Sequence, residues 1–279
     1  MSDELERAVA SHYGKPDIVR RIFGGLKAAG IDPGHLKPED LAPVDEFHVG
    51  GRAASEHALA KMALDKGQHV LDIGCGIGGT ARYLAQVFGC RVSGIDLTPD
   101  FIDAARTLSE RTGLADRVEF KVASALDLPF EDATFDAAIT FHVAMNIKNR
   151  RALYAEAARV LKPQAQFCVY DVMGGETGSV RYPTPWAETA ETSHLTTPGE
   201  TRELLEQAGF TVEEVEDRTA AGIEFFRQRL ALSPYGPPPL GIHLLLGPTA
   251  RERFANVQQG LEEGALAPVA MIARREPAG

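Results

Sequence analysis

The chain has 279 residues, a formal net charge of −10 and 44% hydrophobic residues. That length suits one large domain, or one domain with an inserted lid. The acid excess stands against a nucleic-acid partner, because phosphate binding is carried by Lys and Arg, and no cluster of five or more basic residues occurs. No apolar run approaches the roughly 18 residues of a membrane span. The acidic start, Met1-Ser2-Asp3-Glu4-Leu5-Glu6, lacks the apolar stretch of a signal peptide. Three cysteines, Cys75, Cys90 and Cys168, are an odd number and fit reduced thiols. A cytoplasmic protein with no membrane partner is expected.

In chain order, residues 1–60 read as a helical lid, and 61–279 as the main domain with insertions at about 173–197 and 218–264. Ile18, Val19, Ile22, Phe23 and Leu26 recur at helical spacing between Asp17 and Ala29, and Gly30 and Pro33 end that helix. Ser55 to Ala63 is a second helix. Strands are then expected at 69–73, 91–95, 118–122, 135–140 and 165–171, with helices between them at Asp100–Thr112 and Arg150–Leu161. Thr197 and Gly209 read as N-cap and C-terminal cap of a helix from Pro198 to Ala208. Strands at 211–217 and near 268–274 close the series. Alternating strands and helices predict an α/β, Rossmann-like, doubly wound sheet with its ligand at the carboxyl ends of the strands. Met173–Thr197 and Leu232–Pro248 are long segments rich in Gly and Pro, expected to be lids. The prolines at 237–239 read as a rigid turn between helices.

The chemistry begins at Val70-Leu71-Asp72-Ile73-Gly74-Cys75-Gly76-Ile77-Gly78-Gly79-Thr80. A strand ends in an acid, a glycine-rich turn follows, and a helix starts. Glycines bring main chain close to a ligand, and the helix start offers unpaired N–H groups. Gly74, Gly76 and Gly79 also satisfy the fingerprint of dinucleotide binders, with Asp96 near the place of a ribose-binding acid. Three details point away from NAD. Asp72 would face a pyrophosphate with like charge, the Gly78-Gly79 doublet opens the loop, and a third strand with a polar exit loop, Val122 to Phe130, follows.

These segments resemble the class I S-adenosylmethionine-dependent methyltransferases. Tyr13-Gly14, Phe47-His48-Val49-Gly50-Gly51, the glycine loop, His142-Val143-Ala144-Met145-Asn146, Tyr170-Asp171-Val172 and Pro183-Thr184-Pro185-Trp186, in that order, are similar to the sarcosine/dimethylglycine N-methyltransferase-like group. The resemblance implies a seven-stranded sheet whose last strand is antiparallel. It also implies S-adenosylmethionine as cofactor and S-adenosylhomocysteine as product. Asp72, Gly74, Cys75, Gly76 and Gly78 would hold the cofactor's amino-acid end, with Phe47, His48 and Gly51 beside it. Asp96 would accept from both ribose hydroxyls, although a cap for the next helix is the other reading, and Leu97 would lie on the adenine. Ser124, Ala125 and Leu126 would cradle the adenine. The family has an acid where Ser124 stands, so the grip there is expected to be looser, and Asp127 reads as a loop residue.

His142 follows strand four at the mouth of the site. It either closes the cofactor pocket or takes a proton from the acceptor. The related phosphoethanolamine methyltransferases carry a catalytic His at the place of Asn146, so that role does not carry over. Tyr13 is the second catalytic candidate, beside His142, and is expected to close over cofactor and substrate. Met145, Asn146, Arg181 and Trp186 are the substrate candidates, with Arg181 suited to a carboxylate and Trp186 to a cation or to anchoring the lid. No metal-ligand spacing is present. The expected activity is methyl transfer to a small-molecule acceptor, foremost the nitrogen of a small amine or amino acid, in a monomer or homodimer. The alternatives are O- or C-methylation of a secondary metabolite, an inactive cofactor-binding protein, and an NAD-dependent oxidoreductase.

Overall fold

The computed structural model describes residues 2–14, 17–231 and 236–277. Its centre is a seven-stranded sheet in the order β3-β2-β1-β4-β5-β7-β6. The strands are β1 (His69–Ile73), β2 (Arg91–Asp96), β3 (Val118–Val122), β4 (Phe135–Phe141), β5 (Leu161–Gly174), β6 (Phe210–Asp217) and β7 (Leu266–Arg275). β1 to β5 run parallel to one another, while β7 lies antiparallel between β5 and β6. β1 therefore sits between β2 and β4, and the chain winds away from it in both directions. That switch point opens a crevice at the carboxyl ends of β1, β2 and β4.

The helices are α1 (Ser2–Tyr13), α2 (Ile18–Ala28), α3 (Pro38–Asp45), α4 (Gly51–Leu59), α5 (Gly79–Tyr83), α6 (Pro99–Arg111), α7 (Arg150–Val160), α8 (Pro198–Gln207), α9 (Thr219–Ala231), α10 (His243–Leu246) and α11 (Ala250–Glu262). One buried layer packs Leu71, Ile73, Phe135 and Phe167 against Leu153, Tyr154 and Leu205 of α7 and α8. The opposite layer packs Val70, Val92, Ile139 and Tyr170 against α4, α5 and α6. A third cluster joins α2 and α3 to α6 through Ile22, Leu26, Leu41, Phe101 and Leu108. Trp186, Phe226, Val257 and Leu261 form a fourth beneath the segment that follows β5.

The expected strands all form. β5 is longer than expected, because β7 pairs with it from Gln166 to Gly174. α4 begins four residues early, since Gly50 adopts φ +88° and turns the chain into a helix at Gly51. Thr197 caps α8 in a reciprocal box with Glu200, and Gly209 follows at φ +87°. Of the Leu232–Pro248 segment, residues 232–235 lie outside the described residues. Beyond them, Leu240 is buried in the third cluster. β6 is an edge strand, and its acids are paired outward: Glu213 with Arg274, Glu214 with Lys61, and Glu216 with Lys61, Arg218 and His57.

Candidate active site

A cavity of about 820 Å³ occupies the switch point. One wall is the glycine loop. Gly74 at φ +78° lies so close to Val143 that a Cβ there would stand 2.2 Å from its Cγ2. The N–H groups of Gly74 and Cys75 both donate to the Ile95 carbonyl, at 2.8 and 2.9 Å. A Cβ built on Gly76 meets no atom within 4 Å, so a side chain there would enter cavity space. Gly78 (φ +81°) starts α5 from behind, against Phe120 and Arg82, and is not on the wall.

Asp96, at the end of β2, accepts from Gly76 N at 3.0 Å and Thr98 N at 2.9 Å. It therefore braces the glycine loop and the start of α6 together. Leu97, Ser124, Ala125 and Leu126 continue the wall. Asp127 is exposed and away from it. Asp72 is 3% exposed, and its Oδ2 has no hydrogen-bond partner among the described residues. Burial, with Glu46 and Asp96 nearby, pushes its carboxyl up to about 8. Burial also raises Asp96, against the two N–H donors. The neighbouring cations are engaged elsewhere: Arg82 pairs with Asp45 at 2.5 Å, and Arg52 with Glu46 at 2.9 Å. The site therefore holds acid that lacks a counter-charge, a donor set suited to a ligand carrying positive charge.

His142 is held in the left-handed region at φ +56°. Its Nδ1 lies 3.1 Å from the Tyr170 carbonyl, and its Nε2 accepts from Val49 N at 3.1 Å. Both ring nitrogens are thus engaged by backbone. Burial first, then His48, keeps the ring well below its usual pKa. The expectation of a base at His142 is corrected by this geometry: its lone pair is already used. His48 is buried beside it, with Nε2 at 3.0 Å from Ser55 Oγ and 3.1 Å from the Gly51 carbonyl. Gly51 itself lies off the cavity wall, facing Phe225.

Tyr13 and Phe47 line the cavity, in edge contact at 5.9 Å. The Tyr13 hydroxyl donates to Asn146 Oδ1 at 3.0 Å, and Asn146 Nδ2 donates to the Trp186 carbonyl at 2.8 Å. Burial, with Asp96 near, raises the phenol, so Tyr13 is a neutral donor and not a base. The substrate candidates divide. Asn146 lies on the wall, whereas Met145 and Trp186 line a small adjoining space of about 40 Å³. Arg181 is half exposed, paired with Glu263 at 3.3 Å, and away from both cavities.

Four groups were missed in the sequence. Asp171 accepts from Val143 N and Ala144 N at 2.8 and 3.3 Å, fixing the loop after β4. Arg82, fully buried, donates to the Ile77 carbonyl at 2.8 Å and so fixes the glycine loop. Glu6, on α1, lines the cavity and accepts a hydrogen bond from the Ser124 hydroxyl at 2.6 Å. His194 also lines the cavity, and its Nε2 is buried without a hydrogen-bond partner among the described residues. Its backbone is pinned on both sides, N to the Met145 carbonyl at 2.7 Å and O to Arg150 at 3.0 Å. Among the described residues no group of three or more His, Cys, Asp or Glu is placed to hold a metal, and no helix is long and apolar enough to cross a membrane. The three cysteines are free and buried.

Residues 71–169 match the family described as "Methyltransferase domain". The "O-methyltransferase resE" of Aspergillus sclerotiorum is 30% identical over 184 residues, covering 64% of this chain and 68% of that protein. The "O-methyltransferase cnsE" of Penicillium expansum is 29% identical over 226 residues, covering 69% and 79%. Relatives named for C- and N-methylation match as well. In fold, the chain is similar to a Galdieria sulphuraria structure provisionally named a sarcosine dimethylglycine methyltransferase. The TM-score is 0.68, at 20% identity, over 83% of this chain and 94% of that one. A glycine loop over unneutralised acid, at the switch point of a sheet with an antiparallel last strand, suits a cationic sulfonium nucleoside. With these relatives it places the chain in the class I S-adenosylmethionine-dependent methyltransferases, enzymes that methylate small molecules.

Proposed function

We propose that the acceptor is a largely apolar small molecule methylated on a hydroxyl group. The observation that carries this reading is His194. It has a buried ring nitrogen with no hydrogen-bond partner among the described residues, on the wall of the cavity that also holds the glycine loop. A hydroxyl must lose a proton to become a good nucleophile. Burial, helped by Lys148 and Arg150, lowers the His194 pKa, so at neutral pH the ring is uncharged and able to take that proton. Phe47, Phe101, Ile147 and Leu245 supply apolar wall for the acceptor's body. A volume of about 820 Å³ stands at the upper end of ligand pockets, about 300–1,000 Å³, which suits cofactor and acceptor together. Two relatives named as O-methyltransferases agree with this reading. The amino-acid acceptor lacks the support it needed, since Arg181 pairs with Glu263 away from the cavity.

The cofactor would lie with its amino-acid end on Gly74–Gly76. Asp72 would face its ammonium, Asp96 its ribose hydroxyls, and Leu97 with Ser124–Leu126 its base. Phe47, His48 and His142 would wall the methionine end. Bound there, the sulfonium would supply a methyl group on a leaving group that is already activated. The protein then supplies alignment, exclusion of water and a proton acceptor. The neutral Tyr13 hydroxyl donates its hydrogen bond to Asn146, which leaves the oxygen's lone pairs able to accept a hydrogen bond from the acceptor.

The test is methyl transfer from labelled S-adenosylmethionine to a panel of apolar phenols and alcohols, sterols, small amines and amino acids. An apolar hydroxyl compound should be methylated. His194→Ala should lower kcat, alter its pH profile and leave S-adenosylhomocysteine affinity unchanged. Methylation of sarcosine with no hydroxyl acceptor working, or an unaltered His194→Ala profile, would overturn the reading.

A further inference from the structure

α1 meets the body of the enzyme at a few polar points spread along its length. In its first half, Glu6 Oε1 accepts a hydrogen bond from the Ser124 hydroxyl at 2.6 Å. At its end, His12 Nε2 lies 3.1 Å from the Pro185 carbonyl and Tyr13 donates to Asn146. Leu5, just ahead of Glu6, and Ala8 and Val9, between the anchors, line the cavity. The helix is a strap across a cavity, with its apolar side turned to the space a ligand would fill.

The state of Ser124 shows what this strap brings. Its hydroxyl proton goes to Glu6, and its oxygen accepts from Leu126 N at 3.0 Å. A hydroxyl has one proton and two lone pairs, so Ser124 has little acceptor capacity left for a ligand. Glu6 is different. Ser124 engages only its Oε1, and the residue lines the cavity. A carboxylate is also the stronger acceptor for an N–H donor. Asp127, the other acid of this loop, is exposed and off the wall.

We propose that Glu6, carried on α1 and seated by Ser124, is the acceptor for the exocyclic amine of the cofactor's base, so that the strap itself reads the base. This rests on the placing of the base against Leu97 and Ser124–Leu126 under the proposed function. Two consequences separate it from a merely structural contact. The enzyme distinguishes an amino from an oxo group on the purine through a residue 118 positions before Ser124. Base binding also draws α1 down.

The experiment measures calorimetric affinities of the full chain for S-adenosylhomocysteine and S-inosylhomocysteine, in which an oxo group replaces the amine. The wild type should prefer the adenosyl compound by tenfold or more. Glu6→Ala should bring that ratio down at least fivefold, at an unchanged melting temperature of the free protein. Ser124→Asp alone places two carboxylates side by side, and should weaken binding rather than strengthen it. The double variant Glu6→Ser with Ser124→Asp moves the acid across the same contact and should restore the preference. Hydrogen exchange in α1 should slow on adding S-adenosylhomocysteine to the wild type, and much less so in Glu6→Ala. An unchanged ratio in Glu6→Ala overturns the role of Glu6 while leaving the cofactor assignment standing. Absence of S-adenosylhomocysteine binding in the wild type overturns both.

Discussion

Asp72 shows how a single carboxylate couples ligand binding to protons. With its pKa near 8 in the free protein, it is mostly protonated at pH 7. A cation placed against it favours the ionised form. Binding of S-adenosylhomocysteine at pH 7 should therefore release close to one proton, read as a dependence of binding heat on the ionisation heat of the buffer. Asp72→Asn should abolish that release, and equal heats in all buffers for the wild type would remove the assignment. Stability follows the same linkage. Between the unfolded value near 4 and about 8, the folded chain holds more protons than the unfolded one, so this residue costs stability as pH rises. His142 acts in the opposite sense. Its folded pKa lies well below 6.5, so its contribution is full above about 6.5 and fades as pH falls. His142→Asn should flatten the acid side of the urea-stability profile. His142→Ala should cost about 1–3 kcal/mol, because it leaves the Val49 N–H unpaired. The sequence leaves the pocket-closing and base readings of His142 both open, because what decides between them is long-range packing. Its partner Val49 stands 93 positions away, and nothing local tells a used lone pair from a free one.

Between elements, the buried Asp45–Arg82 pair joins the end of α3 to α5 and α6. Arg82 also donates to the Ile77 carbonyl and to Ser109 Oγ at 3.3 Å. It therefore sets where the glycine loop lies relative to α3. Arg82→Met removes one member of a fully buried pair and strands Asp45, which should cost about 3–5 kcal/mol. Arg82→Met with Asp45→Asn should recover part of it, by chemical denaturation. Recovery of nothing would mean that Arg82 acts through its loop carbonyl alone. Elements of this kind divide sharply in how readable they were. Strands β1 to β7 carry their pattern locally, in apolar runs closed by Gly, Asp and Pro, and so could be placed from the chain alone. Asp72, Gly74, Gly76 and Asp96 come together because two adjacent strands end at one crevice, a consequence of topology that alternation already implies. Glu6, His194 and Asp171 reach the same cavity from a terminal helix, a long segment and the neighbouring strand. Their places depend on packing between distant parts. Arg181 failed as a substrate residue on the same ground, since α11 and the turn after it, not the cavity, supply its partner.

For the molecule as a whole, a ligand that binds only the native state raises the unfolding free energy by about 2.7 kcal/mol at 100 times its Kd. For a chain of this size that amounts to about 5 °C in Tm. S-adenosylhomocysteine should give a shift of that order and NAD none; equal shifts would reopen the dinucleotide reading.

The outer edge of the sheet has a further consequence. β6 presents Glu213, Glu214, Glu216 and Asp217 along a strand whose far side has no β partner among the described residues. An open edge invites pairing with another copy, and charge is the usual deterrent. Here the deterrent is itself protected. Arg274 holds Glu213 below the ordinary carboxylate range, and Lys61, Arg218 and His57 bring Glu216 down to about 2. Glu213 and Glu216 stay ionised in mildly acidic solution, where most surface carboxylates have begun to lose their charge. The enzyme's resistance to edge-to-edge aggregation should thus outlast its overall negative charge, persisting through its isoelectric point near 5.3, where colloidal repulsion is weakest.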